Sequence, residues 1–128
     1  MSTLNIEIKN FEKKNKAALV ALFNLNVPKY FDKSEESDFI SYLASETEIY
    51  LIAMLNNEIV GCGGINYSKT EKNTGVLSWD MVHPNKQGLG IGKALTKHRI
   101  QLLKQAEGIE RIIVRTSQHT DGFYQKMG

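Results

Sequence analysis

The chain has 128 residues, of which 41% are hydrophobic and 23% charged, the composition of a globular protein with one ordinary core and so of a single domain, 1–128. A formal net charge of +2 is too small to argue for nucleic acid or an anionic membrane surface as a partner, and no apolar run is long enough to span a bilayer. The polar N-terminus is no signal peptide, and the lone Cys62 has no intrachain disulfide partner, so a reducing cytoplasm is the expected compartment.

Leu4 to Phe11 places Leu4, Ile6 and Ile8 on one side and predicts an opening strand. Lys13 to Phe23 carries Ala17, Val20, Ala21 and Phe23 at helical spacing, and the stretch from Asn24 to Pro28 stops it. A second helix is predicted from Glu35 to Leu43, with Ser34 as N-cap and Phe39 and Leu43 facing inward beside Tyr42. Glu48–Leu55 and Glu58–Tyr67 are apolar runs joined by Asn56-Asn57, a short hairpin turn. Gly61, Gly63 and Gly64 are unusual inside a strand and predict a bulge or the close approach of another backbone. A polar turn over Lys69–Asn73 leads to a third run, Gly75–His83. Ile91–Ala106 then forms a helix with Ile91, Leu95, Leu102 and Ala106 on its inward stripe, stopped at Gly108. Arg111–Thr116 reads as a strand, and the last residues begin another helix. The order βααβββαβα is that of a mixed α/β layer fold, an antiparallel meander followed by one helical crossover.

The junction before the long helix carries the chemistry. His83 to Leu95 reads His-Pro-Asn-Lys-Gln-Gly-Leu-Gly-Ile-Gly-Lys-Ala-Leu, with three alternating glycines, Gly88, Gly90 and Gly92. A glycine-rich turn entering a helix points free backbone N–H groups and the positive end of the helix dipole at one spot, which suits phosphate. A P-loop is excluded, because Gly88 and Gly92-Lys93 are too close and Ala94 replaces the magnesium-binding hydroxyl. A dinucleotide fingerprint would need glycine at 93 and a position in the first strand–helix unit.

What fits is Gln-x-x-Gly-x-Gly, here Gln87-Gly88-Leu89-Gly90-Ile91-Gly92, following an apolar strand and Val82-His83-Pro84. Together with the closing Phe123-Tyr124-Gln125-Lys126-Met127-Gly128, it resembles the GCN5-related N-acetyltransferase (GNAT) family. The resemblance implies an acetyl-CoA-dependent N-acetyltransferase that moves an acetyl group to a primary amine of a small molecule or peptide, directly and through a tetrahedral intermediate. It implies acetyl-CoA as cosubstrate, held by Gln87, Gly88, Leu89, Gly90, Ile91, Gly92 and Lys93 at the pyrophosphate. The backbone of Met81, Val82 and His83 would pair with the pantetheine arm, and a strand bulge would aim the N–H of Val82 or Met81 at the acetyl carbonyl. Tyr124 matches the tyrosine that donates its proton to the departing thiolate. Ser117 stands where many relatives have asparagine and is suited to hydrogen-bond the pantetheine.

For the base, Asp80 on the strand before the glycine loop is the leading carboxylate, either taking the amine proton or binding the amine, and Glu48 is a second. His83 is read as positioning backbone, His98 as a half-buried packing residue, and His119 as part of a polar turn that nothing singles out. Cys62 reads as an inert core residue, and no spacing suggests a metal site. The sequence ends at Gly128, inside the helical motif, before the family's two last strands. Without them Arg111–Thr116 would be an open apolar edge, so a homodimer or higher oligomer through that edge is expected. A CoA-binding protein without turnover and a non-catalytic interaction module are the competing functions.

Overall fold

The computed structural model describes residues 5–45, 47–68, 70–106 and 108–114. Strands β1 (Ile6–Asn10), β2 (Ile49–Leu55), β3 (Glu58–Tyr67), β4 (Thr74–Val82) and β5 (Arg111–Val114) form one sheet in that spatial order. The first four are antiparallel neighbours, and β5 runs parallel to β4. Helix α3 (Ile91–Gln105) is the crossover that a parallel pair requires. Helices α1 (Lys16–Leu25) and α2 (Glu36–Ser45) precede the meander. The mixed α/β order expected from the sequence is therefore present through β5, while the closing helix over the last residues lies outside the described residues. No described helix is long and apolar enough to cross a membrane.

Strand alternation sorts the core into two faces. Tyr50, Ile52, Cys62 and Met81 pack with Leu19, Leu22, Phe23, Phe39, Tyr42 and Leu43 of α1 and α2. Leu51, Ala53 and Val60 pack with Ile91 and Leu95 of α3, and Ile65 and Leu77 with Leu103. The hairpin turn has Asn56 and Asn57 at φ 54° and 65°, the left-handed pair that a two-residue turn needs to match strand twist. At the start of α2 the cap is Asp32 rather than Ser34: Asp32 Oδ2 accepts the Ser34 N–H at 2.9 Å, opening a 3-10 turn over Lys33–Glu35. The observed cap thus stands two residues before the one expected from the sequence.

The inward stripe of α3 also differs from the apolar reading. Its buried residues are Ile91, Leu95, Thr96, Arg99 and Leu103, while Leu102 and Ala106 are half-buried. Leu95, Arg99 and Leu103 are successive i, i+4 positions, so the stripe runs through a charged residue that an apolar count passes over. Arg99 is fully buried and bonded on every side. Both its terminal nitrogens pair with the two carboxylate oxygens of Asp80, Nη1 to Oδ1 at 2.7 Å and Nη2 to Oδ2. Nη1 also donates to the Gly64 carbonyl at 3.0 Å and Nε to the Leu95 carbonyl at 3.2 Å.

This explains the glycines of β3. A Cβ at Gly63 would stand 2.9 Å from Arg99 Cζ, and one at Gly64 would stand 2.6 Å from the Tyr42 hydroxyl and Tyr50 Cδ1. Gly63 and Gly64 thus make room for side chains on both faces, while a Cβ at Gly61 would meet the Met81 backbone oxygen at 3.2 Å as well as the Ile91 side chain at 2.9 Å. The expected bulge is present too. Cys62 pairs with Met81 and Gly64 with Ser78, leaving two residues of β4, Trp79 and Asp80, opposite Gly63. Trp79 has φ 52°, a left-handed value that costs an L-residue about 1–2 kcal/mol. Its ring stacks on Phe31 (centroids 6.2 Å, 17° between planes) and packs against Phe39 (5.1 Å), while the Tyr50 hydroxyl donates to its carbonyl at 2.8 Å. Asp80 turns to the opposite face to meet Arg99.

Removing one partner from a buried pair leaves an uncompensated charge. Arg99→Met should cost about 3–5 kcal/mol in urea unfolding, and adding Asp80→Leu should recover part of that loss. Burial also pushes the Cys62 thiol and the Tyr42 hydroxyl each up to about 12, and raises Tyr50 well above its ordinary value. In all three the folded state holds the proton more tightly than the unfolded chain. The stability they contribute is complete below the unfolded values and is lost as pH rises. The urea midpoint should thus fall between neutrality and about pH 10.5, and Cys62→Ala should flatten the first part of that fall.

Candidate active site

Past the end of β4 the chain makes a 3-10 turn over Pro84–Lys86, capped by His83, whose Nδ1 accepts the Asn85 N–H at 3.1 Å. His83 therefore does hold backbone, as its place beside proline suggests. Gly88 and Gly90 follow at φ 86° and 85°, and Gly90 is the N-cap of α3. A Cβ at either would meet nothing within 4 Å, so the backbone angle demands glycine while the space above the loop stays open. No side chain caps the helix. The first helical N–H bonded within α3 is that of Ala94, to the Gly90 carbonyl at 2.9 Å. The N–H groups of Ile91, Gly92 and Lys93 thus have no intrahelical acceptor. With the helix dipole behind them and Lys93 among them, they form a cradle that fits an anionic phosphate group.

A cleft of about 470 Å³ opens over this cradle. One wall is the bulged end of β4, Asp80, Met81 and Val82, and another is the glycine loop from Gln87 to Lys93 with Leu89 left out. The structure thus gathers nearly all the described residues that the sequence singles out. His83 is not in the lining, and Leu89 sits at the loop tip, 39% exposed. Tyr124 and Ser117 lie outside the described residues.

Val82 has a particular backbone position. The His83 N–H donates across to the Val60 carbonyl at 2.7 Å, and Val82 stands opposite Gly61. Alternation along an antiparallel strand therefore turns the N–H of Val82 away from β3. On that far edge β5 pairs only with Thr74–Leu77, so among the described residues nothing runs beside Val82. Beyond Leu77, no described residue pairs with this edge of β4, and the Val82 N–H faces it.

Asp80 borders the cleft with its side chain 11% exposed, but both its oxygens accept from Arg99. Proton abstraction by this carboxylate would first require that pair to part. Glu48 is not in the cleft lining; one of its oxygens accepts from Asn66 Nδ2 at 3.1 Å and the Tyr67 N–H at 3.2 Å. Cys62 lies in the wall behind Met81 as an uncharged thiol, 3.2 Å from the Tyr50 hydroxyl. No group of three His, Cys, Asp or Glu side chains stands ready for a metal among the described residues.

The third wall is Asn26, Tyr30 and Phe31, from the connection after α1, none of which the sequence singled out by residue. The Tyr30 hydroxyl donates to Gln87 Oε1 at 2.9 Å, tying that connection to the glycine loop. No local pattern marks such a contact between residues far apart in the chain. The aromatic pair Tyr30-Phe31 just past Pro28 was the available signal.

The chain matches the model of the acetyltransferase (GNAT) family over residues 18–128. It is similar to the uncharacterised N-acetyltransferase ycf52 of Pyropia yezoensis, with 29% identity over 89 residues, 67% of this chain and 51% of that protein. It therefore spans about half the length of that relative. Among solved structures it is similar in fold to a GNAT family acetyltransferase from Brucella melitensis in complex with acetyl-CoA. The TM-score is 0.75 at 18% identity, covering 97% of this chain and 82% of that one. A GNAT family acetyltransferase from Staphylococcus aureus Mu50 gives a TM-score of 0.76 at 21% identity, with 97% and 84% covered. Since the family match takes in the glycine loop, the bulged strand and the crossover helix alike, the chain belongs to the GNAT family of acetyltransferases.

Proposed function

We propose that this chain is an acetyl-CoA-dependent N-acetyltransferase acting on a primary amine. The observation that carries the proposal is the meeting, in one cleft, of a glycine-rich helix N-terminus with no side-chain cap and a Val82 N–H turned away from β3, with no partner among the described residues. The first suits a pyrophosphate and the second a polarised carbonyl, and the cleft joins them. The Brucella relative, whose structure is a complex with acetyl-CoA, supports the choice of cosubstrate.

The residues then divide the work. The N–H groups at the start of α3, with Gly88, Gly90 and Lys93, hold the diphosphate. The outer edge of β4 at Met81 and Val82 aligns the pantetheine arm, and the Val82 N–H donates to the thioester carbonyl, favouring the charge that grows there. Acetyl-CoA supplies the activated acyl group. Ser117 hydrogen-bonds the pantetheine, and Tyr124 returns a proton to the leaving sulfur, its phenol being protonated at neutral pH at an ordinary value of about 10. Asp80, held by Arg99, serves as an anchor that sets the bulge, and the amine proton leaves to solvent water.

A second reading, CoA binding without turnover, draws on the same ion pair, because it leaves the cleft no unpaired carboxylate among the described residues. Release of free CoA thiol in the presence of a panel of amines separates the two.

Calorimetry with acetyl-CoA tests the cofactor assignment. Micromolar binding is expected, and Gly90→Asp should abolish it by adding a side chain at φ 85° and a negative charge against the diphosphate. Unchanged affinity in that variant would overturn the loop assignment. Tyr124→Phe should keep acetyl-CoA affinity while slowing turnover by roughly ten- to a thousandfold. Full activity would reduce Tyr124 to a packing role.

A further inference from the structure

One hydrogen-bond acceptor in the cleft has no task in the scheme above. Asn26 ends α1, is only 2% exposed, and lines the cleft. Its backbone carbonyl accepts the N–H groups of Tyr30 (2.8 Å) and Phe31 (3.1 Å), which closes the turn carrying those side chains to the cleft wall. Its side chain is oriented from the other side: Nδ2 donates to the Leu22 carbonyl at 2.9 Å. A carbonyl can only face a donor, so this bond fixes which end of the amide looks back along the helix. Oδ1 therefore points away from it, and no described residue donates to Oδ1.

That oxygen is not sealed in. Among the described residues, every side-chain nitrogen or oxygen shut off from solvent has a hydrogen-bond partner. Oδ1 has none, so it reaches solvent-accessible space, and Asn26 is among the residues that line the cleft. A nearly buried carbonyl oxygen without a donor loses its hydration and gains nothing in return, unless a ligand brings one. The surroundings restrict which donor. Phe31, Cys62 and Met81 make the nearby wall largely apolar, and Asp80 is taken up by Arg99. An anionic group would find an oxygen facing it and no donor. An N–H fits.

We infer that Asn26 Oδ1 seats an N–H donor of a bound ligand, either an amide of the CoA pantetheine arm or the amine that is to be acetylated. The inference rests on the acetyltransferase reading, under which both molecules enter this cleft. It makes Asn26 a binding residue contributed by the connection after α1, opposite the backbone donor on β4. The ligand is then held between a donor on one wall and an acceptor on the other.

The test follows the side-chain carbonyl carbon of Asn26 by NMR in isotopically labelled protein, since accepting a hydrogen bond moves that resonance downfield. A shift on adding acetyl-CoA assigns the seat to the pantetheine arm. A resonance unmoved by acetyl-CoA but shifted when propylamine joins the CoA complex assigns it to the amine. No movement with either overturns the inference. In parallel, Asn26→Leu should weaken acetyl-CoA binding or raise the propylamine KM roughly tenfold at unchanged kcat. Both constants within about twofold of wild type in Asn26→Leu would also overturn it. If wild-type protein does not bind acetyl-CoA at all, the acetyltransferase reading fails and this inference with it. Binding without any response at Asn26 removes this inference alone.

Discussion

The architecture turns on two consecutive residues held from opposite sides. Trp79 is drawn into the aromatic cluster beneath α1 and α2, and Asp80 is drawn to Arg99 on α3. An ordinary strand already sends neighbours to opposite faces, but here an extra residue has been inserted, and the chain takes a left-handed angle to fit it. Such strain persists only where the surroundings over-determine it. Rings pack on one face and a two-pronged ion pair grips the other, so the kink has little freedom to relax. Everything after it on β4, including the direction of the Val82 N–H, inherits its register from that kink.

Helix α3 joins this kink to the anion cradle. Its first turn presents the free N–H groups, and Arg99, two turns later, holds Asp80 and the Gly64 carbonyl. The cofactor's two ends would thus be read by parts of one rigid rod and the strand bolted to it. The distance between diphosphate and thioester is then set by the helix rather than by a loop. Under the proposed function, the arm between those ends would lie along the edge of β4 beyond Leu77, where no described residue pairs.

Much of this was legible in the residues. Gly88, Gly90 and the following helix marked the cradle because their backbone requirement is local, and Asn56-Asn57 marked its hairpin for the same reason. The run of glycines in β3 signalled close approach but not of what, since the approaching groups, Arg99 and Tyr42, come from elements far away in sequence. Arg99 itself was hidden by its type: a charged residue on an amphipathic helix normally faces water, and only its carboxylate partner across the sheet reverses that. The same pairing altered the reading of Asp80, whose position in the cleft was foreseen and whose engagement was not. Which residues make the third wall was not legible, because that depends on how the connection after α1 folds over the loop, a tertiary matter with no periodic trace. Tyr124 and Ser117 rest on the family resemblance.

The Gly63–Asp80–Arg99 arrangement has a consequence for how this sequence can drift. Arg99 can keep its place only while position 63 lacks a Cβ, and Asp80 can stay charged in its nearly buried site only while Arg99 answers it. Arg99 and Asp80 are thus admissible only together, and only while position 63 is glycine. A lineage that exchanges one must pass through a damaged intermediate before it can exchange the rest. The trio should therefore be inherited as a single character, kept whole or replaced whole, while the helix surface around it varies freely.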